Sequence, residues 1–316
     1  MGTGHEITVE TGSRMHLGLI DFKGSLGRVY GGCGVYVNHP RLRVRMRKSP
    51  EIKTSGTTRK AFEGYAKKVL EHHGISGGVE IEVLEEIPPH TGLGSGTQTA
   101  LAVAGGISRI YDLDSGAEEN AAVLGRGKIS AVGTHLFKHG GFILEGGRKS
   151  SGGISPLLAR YDFPEKWAFT VVTPQIEAGL SGAVEENALR QTKGEAENTE
   201  KISQITLMQL LPALIEEDLA SFGDAVYKID QITGNYFKKV QNGIYREKTI
   251  KTVVDYMMEN GAAGCGQSSW GPTVYAVSEK IECERLARNV KSFLKDAKIK
   301  AQVSCTKARN KGAMVG

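Results

Sequence analysis

Cysteine is scarce: Cys33, Cys265, Cys283 and Cys305 are the only four in 316 residues, and no two form a Cys-x-x-Cys pair. So sparse a set argues against a disulfide framework or a zinc site and predicts four reduced thiols. Long apolar runs are also missing, and none reaches the roughly 18–20 residues a membrane helix needs. The segment Met1–Glu10 is polar and has no apolar signal core. No export signal, no membrane association and a cytoplasmic location are therefore expected. Charge of one sign is lacking too: 40 Lys and Arg face 35 Asp and Glu, a net charge of +5. No aromatic-rich basic motif is present, so nucleic acid is not an expected partner. No internal repeat is visible. With 40% hydrophobic and 24% charged residues, the chain lacks the signature of disorder. Its length predicts about two domains.

What is present begins with a basic strand. Arg41, Arg43, Arg45, Arg47 and Lys48 alternate with Leu42, Val44 and Met46, which gives one apolar and one cationic face. That face is either a solvated strand face or a surface for an anion or partner. Short strands are expected at Ile7–Glu10, Met15–Asp21, Gly34–Asn38, Leu42–Arg47 and Val79–Leu84. Helices are expected at Thr58–His73, Gly96–Tyr111, Ala117–Leu124 and Ile129–Lys138, followed by a strand at Phe142–Glu145. The Gly-, Ser- and Pro-rich stretch Gly146–Pro164 suggests a boundary between domains 1–164 and 165–316. The second half should open with a strand at Trp167–Thr173. It should then be helical from Gly182 to Asn260, interrupted at Pro212. A strand at Thr273–Val277, a helix at Lys280–Lys295 and a strand at Lys298–Cys305 close it.

The strongest chemical signal is Pro88-Pro89-His90-Thr91-Gly92-Leu93-Gly94-Ser95-Gly96-Thr97-Gln98. Two prolines end the preceding strand and stiffen the entry. Gly92, Gly94 and Gly96 let the backbone turn tightly and approach a ligand closely. The helix that follows aims unpaired N–H groups and its positive dipole end at the loop. Such an arrangement holds phosphate oxygens, with Ser95, Thr97 and Thr99 as further donors. It is neither a Walker loop nor a Rossmann fingerprint.

Two other blocks flank it. Gly12-Ser13-Arg14-Met15-His16-Leu17-Gly18-Leu19-Ile20-Asp21 stands near the start, followed by Gly27-Arg28-Val29-Tyr30-Gly31-Gly32. Gly261-Ala262-Ala263-Gly264-Cys265-Gly266-Gln267-Ser268-Ser269-Trp270-Gly271-Pro272 stands near the end. The three blocks, in this order, resemble the three motifs of the GHMP kinase superfamily. The resemblance covers the whole chain and implies an α+β, two-domain GHMP-kinase-like fold with the ligand in a cleft between the domains.

The pattern departs from the kinases at two places. Ser130–Gly141 stands where the kinases usually carry a catalytic aspartate, and it contains no carboxylate. Gly96 replaces the second residue of a usual Ser pair, which commonly helps to hold magnesium. Phosphoryl transfer needs a metal-held phosphate and a positioned nucleophile, and both look weakened. With Gly125-Arg126-Gly127-Lys128 ahead of Ser130-Ala131-Val132-Gly133-Thr134-His135, the chain resembles the β-ribofuranosylaminobenzene 5′-phosphate synthase branch of archaeal methanopterin biosynthesis. That resemblance implies a decarboxylating pentosyltransferase. Its substrates are phosphoribosyl pyrophosphate and 4-aminobenzoate or 4-hydroxybenzoate, and CO2 and pyrophosphate leave. It also implies Mg2+ and a homodimer. An ATP-dependent GHMP-type kinase and a non-catalytic ligand-binding relative are the alternatives.

Residue roles follow. Donor phosphates are expected on Gly92, Leu93, Gly94, Ser95, Gly96, Thr97 and Gln98, with Arg28, Arg126 and Lys128 as cations. His16, His90 and His135 are the catalytic candidates. Gln267, Ser268, Ser269 and Trp270 should close over the acceptor, with Trp270 either stacking on its ring or serving as a core tryptophan. Asp21 either holds the metal or caps a turn. His135 and His139 share a helix face at a spacing that permits metal binding, but no third ligand such as a nearby Glu is evident.

Overall fold

The alternating first fifty residues fold into two long strands. β1 (Ile7–Asp21) and β2 (Arg28–Ser49) pair antiparallel from Ile7–Met46 to Asp21–Tyr30. Shifts of register between Thr11 and Ser13 and between His16 and Gly18 absorb the irregularities. The strands therefore bend where four short ones were expected. The computed structural model describes residues 6–176, 188, 196–241 and 243–316.

β3 (Lys53–Ser55) runs parallel to β4 (Gly78–Glu85), and β4 lies antiparallel to β2. β5 (Phe142–Glu145) joins β2 to β7 (Leu157–Tyr161), and β6 (Arg148–Lys149) also pairs with β2. β12 (Met314–Val315) returns from the far end of the chain to β1 and completes an eight-stranded sheet. The basic face of β2 is spent within this sheet. Arg45 stands opposite Glu82 and Arg47 opposite Glu80, each ion pair at 2.8 Å, and Arg41 reaches Glu85 at 2.7 Å. Of the two readings, this is the solvated strand face, held by cross-strand charge pairs.

The apolar face of β2 and β4 packs under α1 (Ala61–His72) and α2 (Ser95–Ile110). Val44, Met46, Ile81, Phe62, Val69 and Val103 are fully buried there. α3 (Ala117–Val123) and α4 (Val132–His139) follow. Helix α4 starts three residues later than expected, because Gly125–Ser130 forms a loop.

The second sheet has β8 (Trp167–Pro174) and β10 (Val274–Glu279) at its centre, flanked by β11 (Ala301–Thr306) and β9 (Gly264–Gln267), all antiparallel. The expected helical run from Gly182 falls partly on 182–187, 189–195 and 242, which lie outside the described residues. Within them, α5 (Ala196–Ile205) passes through a π turn at Thr206–Leu210 into α6 (Leu211–Glu216). Pro212 sits in the first turn of α6, where its missing N–H costs least, so the interruption falls ahead of it. α7 (Leu219–Tyr236) packs against both β9 and β1, and α8 (Lys238–Gln241) follows it. α9 (Lys248–Glu259) and α10 (Lys280–Asp296) bury Val253, Met257, Leu286 and Val290 against Val172 and Val274.

Cys283 on α10 and Cys305 on β11 form a disulfide, and only Cys33 and Cys265 are free, both buried. This corrects the expectation of four reduced thiols. The pairing arises from helix packing on strand, which no cysteine spacing announces. Among the described residues no helix is long and apolar enough to cross a membrane.

Candidate active site

The glycine loop does end on a helix N-terminus, with Gly94 in the left-handed region (φ 72°) just ahead of Ser95. Two of its glycines serve the protein itself. A Cβ on Gly92 (φ 84°) would lie 2.2 Å from the Ser268 carbonyl oxygen, and one on Gly94 would lie 2.9 Å from Arg14 Cβ. Ser268 Oγ donates to the Gly92 carbonyl at 2.8 Å and accepts the His16 amide at 3.0 Å. The first, second and third motifs are thereby laced together. Gly92→Ala should accordingly cost roughly 3 kcal/mol of stability, from backbone strain plus overlap, read as a lower urea midpoint. An unchanged midpoint would refute the packing role.

Gly96 is different, since a Cβ there would meet only the Arg126 guanidinium, at 3.4 Å. The Thr97 and Gln98 amides return to the Gly94 carbonyl at 3.1 Å. The Ser95 and Gly96 amides are thus the helix-end donors left for an anion.

Beside this end opens a cavity of about 410 Å³, a volume suited to a small metabolite. Its walls come from both halves of the chain. β1 supplies Arg14, His16 and Gly18; the loop between α3 and α4 supplies Arg126, Lys128 and Ser130. α7 supplies Asp230 and Thr233, joined by Tyr245, Gln267, Ser269 and Trp270. Three wall atoms, Arg126 Nε, Thr233 Oγ1 and Gln267 Oε1, are buried polar atoms with no hydrogen-bond partner among the described residues. Buried polar atoms are normally paired, and their convergence on one cavity marks it as a polar ligand's site.

His16 has a defined tautomer. Its Nδ1 accepts the Gly18 amide at 3.2 Å, so in the neutral ring Nε2 carries the proton, 3.2 Å from Ser130 Oγ. Ser130 in turn donates to Glu145 Oε1 at 2.7 Å, and Glu145 Oε2 accepts the Ala131 amide at 2.9 Å. Burial, and then the positive charge of Arg14, hold the His16 pKa well below its usual value. Burial raises that of Glu145 against the pull of its hydrogen bonds. His16 is therefore a neutral donor, not a free base.

A second carboxylate lies on the cavity wall. Asp230 accepts Tyr245 Oη at 2.5 Å and the Gln267 amide at 2.7 Å. Burial pushes its pKa up to about 6, within the range of a group that takes and returns protons near neutrality. Close by, Trp270 packs on Phe237 with ring centroids 4.4 Å apart, forming an aromatic wall. Arg126, also on the wall, lies over the Tyr65 ring at 5.2 Å and is bonded to its hydroxyl.

The predicted residues thus divide. His16, Thr97, Arg126, Lys128, Gln267, Ser269 and Trp270 line the cavity. Gly92, Leu93, Gly94, Ser95, Gly96, Gln98 and Ser268 stand behind the wall. Leu93 is core, and Gln98 donates to the Gly133 carbonyl at 2.9 Å. His90 is exposed, in the left-handed region, and is not a wall residue. Arg28 is bonded to the Gly147 carbonyl at 2.9 Å, off the wall. His135 is buried, with Nε2 on the Ser155 carbonyl at 2.8 Å. Asp21 caps a turn, accepting the amides of Lys23 at 2.7 Å and Gly24 at 3.0 Å.

Sequence reasoning missed Asp230, Tyr245 and Glu145. Asp230 sits on the amphipathic helix α7 and Tyr245 in the bends ahead of α9, neither within a motif. Glu145 lies four residues past the segment that lacks a carboxylate.

The family model for the GHMP kinases N terminal domain matches residues 60–137, and that for the GHMP kinases C terminal matches 210–296. The chain is 33% identical to a β-ribofuranosylphenol 5′-phosphate synthase of Methanothermobacter thermautotrophicus, over 98% of each chain. It is 34% identical to one of Archaeoglobus fulgidus, over 98% of this chain and 99% of that one. Among solved structures it resembles a homoserine kinase from Cytophaga hutchinsonii, with a TM-score of 0.69 and 18% identity, over 100% and 99% of the two chains. That likeness extends to the fold. On the full-length relatives, the chain belongs to the β-ribofuranosylphenol 5′-phosphate synthase family of the GHMP kinase superfamily.

Proposed function

We propose that the chain condenses phosphoribosyl pyrophosphate with a 4-substituted benzoate to a C-riboside 5′-phosphate, releasing CO2 and pyrophosphate. The full-length similarity to β-ribofuranosylphenol 5′-phosphate synthases carries this reading. The phenol in the relatives' name favours 4-hydroxybenzoate over 4-aminobenzoate as the acceptor. The cavity supports it, since the cations Arg126 and Lys128, the aromatic residues Phe237 and Trp270 and the carboxylate Asp230 all line it.

The donor's phosphates would sit against Arg126, Lys128 and Thr97. As the C1–oxygen bond breaks, its electron pair leaves with pyrophosphate, and these groups stabilise the growing charge. The benzoate ring would lie along Phe237 and Trp270, with its hydroxyl toward Asp230. Asp230 takes the hydroxyl proton while the ring carbon that bears the carboxylate bonds to C1. CO2 then departs, its bonding pair restores the aromatic ring, and Asp230 returns the proton. No proton is gained or lost overall. His16, held neutral, donates toward Ser130 and keeps the loop that carries Arg126 and Lys128 in place.

Among the described residues, magnesium, implied by the resemblance, finds a single carboxylate on this wall, Asp230, which is already hydrogen-bonded. These residues do not make a protein-held magnesium site. The cation enters the proposal as a counter-ion of the donor's phosphates, and no step is assigned to it.

The test is incubation with magnesium, phosphoribosyl pyrophosphate and carboxyl-labelled 4-hydroxybenzoate or 4-aminobenzoate. Labelled CO2 is expected, faster from the hydroxy acid. ATP consumption with an alcohol such as homoserine or mevalonate, and no CO2, would replace this reading with a kinase. Binding without turnover would make the chain a non-catalytic relative.

A further inference from the structure

The expectation that His135 and His139 lack a third metal ligand is overturned by the fold. Helix α3 packs on α4 and brings Glu118 to both histidines. One ligand atom of each residue lies within 4.8 Å of the other two. The imidazole rings of His135 and His139 are 6.4 Å apart and nearly parallel. None of the three lines the cavity.

The second, independent observation is His135 itself. It is 3% exposed. Its Nε2 is 2.8 Å from the Ser155 carbonyl oxygen, which can only accept, so Nε2 carries the hydrogen. Nδ1 is then a bare lone pair, and it is buried with no hydrogen-bond partner. A metal-bound histidine has this arrangement: one nitrogen donates to a carbonyl, which fixes the tautomer and leaves the other nitrogen for the ion.

We propose that Glu118, His135 and His139 bind a divalent transition metal of the zinc class. Two imidazoles and one carboxylate suit zinc and exclude magnesium, which prefers oxygen ligands. A tetrahedral ion at about 2.0 Å from each ligand would draw the ligand atoms to about 3.3 Å apart. Glu118 and His139 are only partly buried, so their side chains are free to close that gap. Lys138 Nζ now contacts both carboxylate oxygens of Glu118, at 2.8 and 3.0 Å. In the bound form one oxygen takes the ion and the other keeps the lysine, the kind of outer partner a ligating carboxylate usually has. The ion would clamp α3 to α4, the two helices that carry the Gly125–Ser130 loop on the cavity wall. The site is thus a structural clamp behind the active site, separate from any magnesium that accompanies the substrate.

The full-length protein, stripped with a chelator, is titrated with zinc alone and with cobalt as a spectroscopic probe, alongside His139→Ala and Glu118→Gln. The wild type should take up one tightly held zinc, melt at a higher temperature with zinc but not with magnesium, and give the visible absorption of a low-symmetry cobalt site. Each variant should bind that zinc at least about tenfold more weakly and lose the melting shift. Melts in chelator establish that the variants fold, and if one does not, the other decides. Equal uptake and equal shift in wild type and variants would overturn the proposal, as would no uptake by the wild type.

Discussion

Asp230→Asn is expected to lower kcat by about 10²–10⁴-fold, the usual worth of a positioned acid–base group. The wild-type kcat/KM should climb with pH through about 6, the value to which burial pushes this carboxyl, and the variant should lack that limb. A merely structural role would lower activity without changing the shape of the profile.

Stability gives an independent reading of the same group. The folded pKa of Asp230, about 6, lies above the ordinary 3.8. Its contribution to stability is therefore complete below pH 3.8 and is lost as pH rises through 6. A rise of that size is worth about 3 kcal/mol. Urea midpoints of the wild type should fall between pH 4 and 6.5 relative to those of Asp230→Asn. Parallel midpoints would contradict the raised pKa, and an intact acidic limb in the variant would remove Asp230 from the reaction.

Arg126→Ala is expected to raise the KM for phosphoribosyl pyrophosphate by about 100-fold, roughly 3 kcal/mol for a buried cation on a phosphate. The benzoate KM should change far less. Burial holds the Arg126 pKa below its ordinary value, so the unliganded site keeps a desolvated cation that an anion relieves. Because Arg126 also packs on Tyr65, Arg126→Lys is the companion variant, and it should recover part of the donor affinity. Arg28→Ala should do less than either, since Arg28 is spent on the Gly147 carbonyl. A larger effect from Arg28, or a loss confined to the benzoate, would reverse the orientation proposed for the two substrates.

Much of the frame was legible in the residues. The period-2 pattern of Val79–Leu84 and the helical spacing of Ala100, Val103, Ala104 and Ile107 place β4 and α2 because burying one face settles each element locally. The Pro-Pro entry, the glycines and the helix start likewise put the N-terminus of α2 at Ser95. The merging of four expected strands into β1 and β2 was not legible, because long-range pairing overrides the local punctuation of glycine and proline. The Cys283–Cys305 bridge and the Glu118–His135–His139 cluster were hidden for a related reason: each joins two elements whose contact is a property of packing.

The glycine loop shows the division most clearly. The sequence by itself determined that a glycine-bearing turn opens α2, since glycine adopts such backbone angles at least cost and a helix must begin with unpaired amides. Only the tertiary structure decided what each glycine is for. Gly92 and Gly94 make room for Ser268 and Arg14, and Gly96 stands beside the Arg126 guanidinium. Tertiary structure also decided where the carboxylates stand. Ser130–Gly141 has no carboxylate of its own, but the fold brings Glu145 to Ser130 and sets Asp230, from a helix about a hundred residues further on, on the wall of the same cavity. A side chain's neighbours, burial and proton affinity come from chain segments far apart in sequence, and only their packing fixes them.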